Sequence, residues 1–259
     1  MDLGIAGRTT IVCGASKGLG RGCAMALARE GVNLVLNARD VAALDRTAEE
    51  IRDSTGVDVV PAPADIGTDD GRARVLEVCP DPDILVTNSG GPPAGDFRDW
   101  DQKDWHKALQ SNMVSHIMMI QSVIDGMVQR RFGRVVNITS ASVKMPYPGL
   151  DLSSGARAGL TAALLNLARE SVRHGVTINH LLPGSHETDR LTSLIGRGGA
   201  DRGLSPEQAL AEAKAAETAG RFGTPDEFGA VCAFLCGVHA GFITGQNLMI
   251  DGGVYPGAW

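Results

Sequence analysis

The chain of 259 residues carries 30 Asp and Glu against 24 Lys and Arg, a formal charge of −6, and 43% of its residues are hydrophobic. That length buries a large core, and an acidic balance with no long basic block excludes a surface built to neutralise nucleic-acid phosphates. No run of about 18 apolar residues is present to span a membrane. The start, MDLGIAGRTTIVCGAS, lacks a basic region followed by a long apolar core, and so does not read as a signal peptide. The cysteines at 13, 23, 79, 232 and 236 form no C-x-x-C pair, so no metal site is expected and a reduced, cytoplasmic protein is.

Short β-branched runs alternate with longer helical patterns along the chain. TTIVC (9–13) precedes a helix over about 18–30, NLVLN (33–37) one over 41–54, and DVVPA (58–62) one over 68–79. DILVT (83–87) precedes a long helix over 100–131, and RVVNIT (134–139) an Ala/Leu-rich helix over 153–174. VTINHLL (176–182), a helix over 225–237 and QNLMI (246–250) complete the pattern. Strands this continuously apolar are covered on both faces, and strand–helix alternation predicts an α/β fold: a doubly wound parallel sheet of about seven strands. No linker divides the chain, so residues 1–259 read as a single domain. Residues 185–224 interrupt the alternation with a glycine-hinged stretch and a polar helix at about 205–219, which predicts a lid over a site.

The first strand runs into CGASKGLG, where Gly14, Gly18 and Gly20 sit between a strand and a helix. Glycine permits the tight turn and lets backbone N–H groups approach a pyrophosphate at the helix N-terminus. Gly14, Ser16, Lys17, Gly18, Leu19 and Gly20 are therefore the expected phosphate cradle of a dinucleotide. The second strand ends in Asn37, Ala38 and Arg39, where an acidic residue would hold an unphosphorylated ribose and repel a 2′-phosphate. Arg39 and Lys17 can instead flank a 2′-phosphate, with Asp40 a complicating neighbour, so NADP(H) is the expected cofactor.

These motifs, continued by Asp65, TNSGG (87–91), Asn112, VNITS ending at Ser140, PGSHET (183–188) and DGG (251–253), resemble those of the short-chain dehydrogenase/reductase family, of the 3-oxoacyl-acyl-carrier-protein reductase type. The resemblance covers essentially the whole chain. It implies a Rossmann-type sheet, a small-molecule substrate and a homotetramer packed through the helices at 100–131 and 153–174. It implies further that Asp65 and Ile66 hold the adenine, that Asn88, Ser89 and Gly90 line the adenosine ribose, and that Pro183, Gly184, His186 and Thr188 hold the nicotinamide. Thr87 and Ser89 replace the family's usual asparagine and alanine.

The family's catalytic serine maps to Ser140 and its relay asparagine to Asn112, but its tyrosine and lysine map to Ser153 and Arg157 in DLSSGARAGL (151–160). Four residues is one helical turn, so this pair shares a face. One reading makes Ser153 or Ser154 a helix cap and Arg157 a solvated charge; the other puts the pair at the reacting centre. Serine is a far weaker acid than phenol, and arginine cannot relay protons. Tyr147 and His186 are the candidate substitute acids, while His180 reads as a core histidine. The expected function is an NADP(H)-dependent oxidoreductase with a non-standard acid–base site, acting on a small carbonyl or imine. The alternatives are a non-redox enzyme or a non-catalytic NADP(H)-binding protein on the same scaffold. The tail VYPGAW (254–259) is expected at a subunit contact.

Overall fold

Strands that are apolar on both faces need a layer of helices on each side, and that is how the chain is arranged. The computed structural model describes residues 1–257; Trp259, which carries most of the tail expectation, lies outside them. The elements run β1 (Thr9–Cys13), α1 (Gly18–Arg29), β2 (Asn33–Asn37), α2 (Val41–Thr55), β3 (Val59–Pro61), α3 (Asp69–Val78), β4 (Ile84–Thr87) and α4 (Gln102–Leu109). They continue with α5 (Ser115–Arg130), β5 (Gly133–Ile138), α6 (Asp151–Ser171), β6 (Val176–Pro183), α7 (Asp189–Ala200), α8 (Pro206–Ala216), α9 (Pro225–Cys236) and β7 (Asn247–Ile250).

All strand pairs are parallel, in the order β3-β2-β1-β4-β5-β6-β7. The order reverses between β1 and β4, and this reversal opens a crevice beyond their C-terminal ends, the place where such sheets bind ligands. One apolar layer packs Val12, Val86, Val136 and Leu181 against α1 and α9, including Cys23, Phe228 and Cys232. The other packs Ile11, Leu85, Val135 and Ile178 against α5 and α6, including Met119, Ile120 and Leu160. The cysteines are buried free thiols. Among the described residues no helix is long and apolar enough to cross a membrane.

The strands fall within a residue or two of the sequence pattern. The helix expected over 100–131 is α4 and α5 joined through one π-type turn, Gln110–Val114. The larger correction is in 185–224, where the glycine-rich stretch read as hinges is a helix, α7. Glycines inside a helix cost roughly 1 kcal/mol each relative to alanine, which argued against one. Tertiary contact decides otherwise: the Thr188 side chain caps the helix at Leu191 N, and a Cβ at Gly199 would lie 2.4 Å from Ala209 Cβ of α8. Helices α7 and α8 therefore pack at a separation that glycine alone permits.

The same constraint governs the crossing of α1 and α9. A Cβ on Gly22 would stand 2.3 Å from the Pro225 carbonyl oxygen, and one on Gly229 would stand 2.3 Å from that of Gly22. Both obstacles are backbone and cannot rotate away. Gly229→Ala should therefore destabilise the protein by about 1–3 kcal/mol, read as a lowered denaturant midpoint with an unchanged slope. An unaltered midpoint would show that the two helices are free to separate.

Candidate active site

At the sheet reversal the ends of β1 and β4 are tied together. Asn88 donates from Nδ2 to the Gly14 carbonyl at 3.3 Å, and a Cβ at Gly14 would meet that nitrogen at 2.6 Å. Gly14 and Gly18 have φ of 61° and 57°, the left-handed region that glycine occupies without strain. A Cβ on Gly20 would lie 2.2 Å from the Gly14 oxygen, so the loop folds tightly over the start of α1. No side chain caps α1 and no acidic residue stands in its first turn, leaving its first N–H groups available to an anion. These residues fit a dinucleotide pyrophosphate.

Five residues at the adenine end behave differently from one another. Asn37 is buried and donates from Nδ2 to the Ala62 and Ala64 carbonyls, both at 3.0 Å, so its side chain pins β2 to the segment after β3. Asp40 is exposed and accepts from Ala43 N at 3.0 Å, capping α2. Arg39 is exposed and has no ion pair among the described residues. Lys17 pairs with Asp189 of α7 at 3.4 Å, both largely exposed, so the phosphate loop touches the 185–224 segment directly. Asp65 is exposed and accepts from Gly67 N at 2.9 Å, beside a buried Ile66.

The DLSSGARAGL stretch is inside α6, not at its cap. Leu150 is the N-cap, and Ser154 donates back to its carbonyl at 3.0 Å. Arg157 is only 5% exposed and Ser153 8%, which overturns the reading of a solvated charge. The guanidinium donates to the Ile138 carbonyl at 2.8 Å, the Ser89 carbonyl at 3.4 Å and Ser153 Oγ at 3.2 Å. Burial, and then the neighbouring Arg190, push Arg157 down to about 10, still fully charged at neutral pH.

Because Ser153 Oγ accepts from Arg157, its own proton is free to be donated onward. Ser140 is in the same position: its Oγ accepts from Ser142 N at 3.1 Å. Asn112, fully buried, sits in the π-type turn, a distortion that recurs at functional sites. Its Nδ2 donates to Ser111 Oγ at 2.7 Å and its Oδ1 accepts from Ser89 Oγ at 3.3 Å. Ser89 joins the two halves of the site: its hydroxyl reaches the Ser111 carbonyl at 2.8 Å as well as Asn112, while its backbone carbonyl accepts from Arg157, which also holds Ser153.

The two candidate acids stand apart from that chain. His186 is buried, with Nδ1 3.2 Å from the Gly184 carbonyl and its ring edge-on to Phe228 at 5.2 Å. A Cβ on Gly223 would strike the His186 ring at 2.8 Å, and burial lowers its pKa, favouring the neutral form. Around it Glu187 N donates to the Gly223 carbonyl and Gly223 N to that of Ser185, so His186 pins together the two ends of the 185–224 segment. Tyr147 has its pKa raised by burial and by Asp251 and Glu217, the opposite of an activated phenol.

Sequence reasoning missed His116. It lies one helical turn beyond Asn112, is fully buried, and neither ring nitrogen has a hydrogen-bond partner among the described residues. Burial first, and then Arg157, push it down to about 3. The only available signal was a polar residue on the core face of an amphipathic helix. Among the described residues no group of His, Cys, Asp and Glu is arranged to hold a metal.

The chain matches, over residues 14–255, the family model described as enoyl-(acyl carrier protein) reductase. It is 30% identical over 255 residues to acetoacetyl-CoA reductase of Allochromatium vinosum, covering 96% of this chain and 98% of that protein. It is 29% identical over 257 residues to a 3-oxoacyl-acyl-carrier-protein reductase of Vibrio cholerae, covering 98% and 99%. The crystal structure of L-sorbose reductase from Gluconobacter frateurii, complexed with NADPH and L-sorbose, superposes with a TM-score of 0.93 at 25% identity, covering 99% of this chain and 100% of that one.

His116 gives the native state a pH dependence of known sign. Its folded pKa of about 3 lies below an unfolded value of about 6.5, so the unfolded chain binds the extra proton and stability falls as pH drops from 6.5 toward 3. The loss attributable to this group should reach about 2 kcal/mol at pH 5. His116→Gln should flatten that slope in denaturant titrations between pH 7 and pH 5; an unchanged slope would mean that the imidazole titrates normally.

Proposed function

The chain belongs to the short-chain dehydrogenase/reductase family of oxidoreductases, and on that premise we propose that it is an NADP(H)-dependent reductase of a small carbonyl or imine-type substrate. The carrying observation is the pair of serine hydroxyls, Ser140 and Ser153, each holding an accepted hydrogen bond on its oxygen and so left with a proton to donate. The proposed cofactor lies along Gly14–Gly20, with Arg39 at the 2′-phosphate and Lys17 reaching it by exchanging Asp189, an exposed pair that holds weakly. Asp65 and Ile66 border the adenine, Asn88, Ser89 and Gly90 the ribose, and the Pro183–Thr188 backbone the carboxamide. Arg157 is placed to meet the nicotinamide ribose with the N–H groups it does not spend on Ile138, Ser89 and Ser153.

When bound, the reduced nicotinamide supplies a hydride. The residues' part is to receive the oxygen that becomes electron-rich: Ser140 and Ser153 donate to it, and the Arg157 charge stabilises it through Ser153. Neither hydroxyl is acidic enough to surrender its proton as a tyrosine does, and Arg157 cannot relay one, so the alkoxide left by hydride addition takes its proton from solvent water. Forgoing a general acid forfeits roughly 10²–10⁴ in rate, so the substrates favoured are electrophiles already activated. His186 contributes backbone and clamps the segment carrying α7 and α8, which acts as the lid. The working form is a cytoplasmic homotetramer packed through α4–α5 and α6, a reading supported by apolar Leu165 of α6 standing 37% exposed.

NADPH should bind more tightly than NADH, and Arg39→Ala should abolish most of that difference in fluorescence titrations. Equal affinities in the unmodified protein would remove the 2′-phosphate assignment. Restoring the family's pair with Ser153→Tyr and Arg157→Lys together should raise reduction of an activated ketone at least tenfold, by analogy with the roughly 10²–10⁴ contributed by an aligned acid. A folded double variant that binds NADPH and gains nothing would place the divergence elsewhere in the pocket. NADPH binding by the unmodified protein without turnover of any carbonyl or imine would favour a sensor over a reductase.

A further inference from the structure

Two guanidinium groups line a single stretch of backbone beside the site. Arg157 donates to the Ser89 carbonyl at 3.4 Å; Arg190, from α7, donates to the Gly91 carbonyl at 3.0 Å and the Pro92 carbonyl at 2.9 Å. The stretch is shaped for the second arginine, since a Cβ on Gly91 would lie 2.6 Å from Arg190 Nη2. The acceptors these two arginines use are carbonyls and one hydroxyl, so none of them carries a charge. Among the described residues buried Arg157 and the exposed Arg190 and Arg197 of α7 hold no carboxylate, whereas Arg21, Arg202 and Arg221 each hold a glutamate. The acidic residues closest in sequence to Arg190 are committed elsewhere, Asp189 to Lys17 and Glu187 to Lys214, each at 3.4 Å.

Exposed Arg190 stands close enough to buried Arg157 for its charge to act on it, and positive charge gathered at the mouth of a site with no carboxylate opposite it favours an anionic ligand. We propose that the ligand is the substrate itself: a 2-oxo acid, whose carboxylate is received by Arg190 within the field of Arg157 while its carbonyl oxygen faces Ser140 and Ser153. Guanidinium offers five N–H donors in a planar fork, and Arg190 spends only some of them on Gly91 and Pro92, leaving others for a planar carboxylate. The same choice answers the missing general acid, because an adjacent carboxyl group makes a carbonyl more electrophilic. A cationic iminium without an anion of its own is disfavoured by that field. This inference rests on the reductase reading and names its substrate class.

The test compares matched pairs: pyruvate, 2-oxohexanoate and phenylpyruvate against their methyl esters, by binding to the protein saturated with NADPH and by KM. At least one acid should bind tenfold or more tightly than its ester. That preference should collapse to near unity in Arg190→Leu and in Arg190→Gln, the second of which keeps a donor for the Gly91 and Pro92 carbonyls, while NADPH affinity stays within about twofold. Acids and esters binding alike in the unmodified protein would overturn the proposal. So would a preference that survives loss of Arg190, or an equal loss for acid and ester, since a residue that merely latches the lid would weaken both. If NADPH fails to bind, the cofactor reading falls separately, and the same pairs scored by thermal shift on the nucleotide-free protein still decide the carboxylate preference.

Discussion

A guanidinium cannot discard its charge, and Arg157 carries one almost wholly out of water. A lysine there could in principle be relieved by losing its proton; an arginine must be satisfied where it stands. The fold satisfies it with the end of β5 through Ile138, the turn after β4 through Ser89, and its own helix through Ser153. These are the elements that a nucleotide must lie across when it binds at the reversal of strand order. The buried cation therefore fixes the geometry of the site before any ligand arrives, and it adds to the burial that keeps His116 neutral.

The two departures from the family's pair are physically coupled. A phenol's long, rigid side chain would occupy the volume above α6, whereas serine leaves room for the larger arginine head to turn back and donate from Nε one turn along the same helix. Arginine without serine would lose that acceptor, and a buried N–H without a partner costs about 1–3 kcal/mol. Serine without arginine would be an isolated hydroxyl with nothing to polarise it. Under the proposed reductase function they exchange proton transfer for electrostatic stabilisation, a trade that makes sense only where the electrophile brings its own activation.

The parallel sheet was legible in the sequence because its signals are local and reinforce one another: β-branched runs of strand length, helical periodicity between them, and glycines where backbone must approach backbone. The tight glycine turn from Gly14 to Gly20 was legible for the same reason. Helix α7 was not, because its stability resides in contact with α8 at Gly199 and Ala209 rather than in its own residues. Asn37 was named as a cofactor neighbour from its place at a strand end, and its side chain is spent on holding Ala62 and Ala64. Nothing local distinguishes those two uses of a buried amide.

A similar limit hides the polar row beneath the site. Thr87, Asn137, His180 and Asn247 are successive register partners across β4, β5, β6 and β7, and strand register is invisible in a single sequence. Thr87 Oγ1 donates to Asn137 Oδ1 at 2.6 Å, which gives the replacement of the family's asparagine by threonine a structural purpose. Yet among the described residues Asn137 Nδ2, His180 Nδ1 and Asn247 Oδ1 have no hydrogen-bond partner, and burial pushes His180 down to about 4. A sheet centre filled by Val and Leu would be more stable, since each unsatisfied buried polar group costs on the order of 1–3 kcal/mol. The apolar layers on either face must offset that cost. They can, because strain of this kind is tolerated at functional sites when the surrounding packing over-determines the local arrangement. Here the over-determination comes from β1, β4 and β5, whose apolar residues fill both layers and leave the polar row no freedom to rearrange.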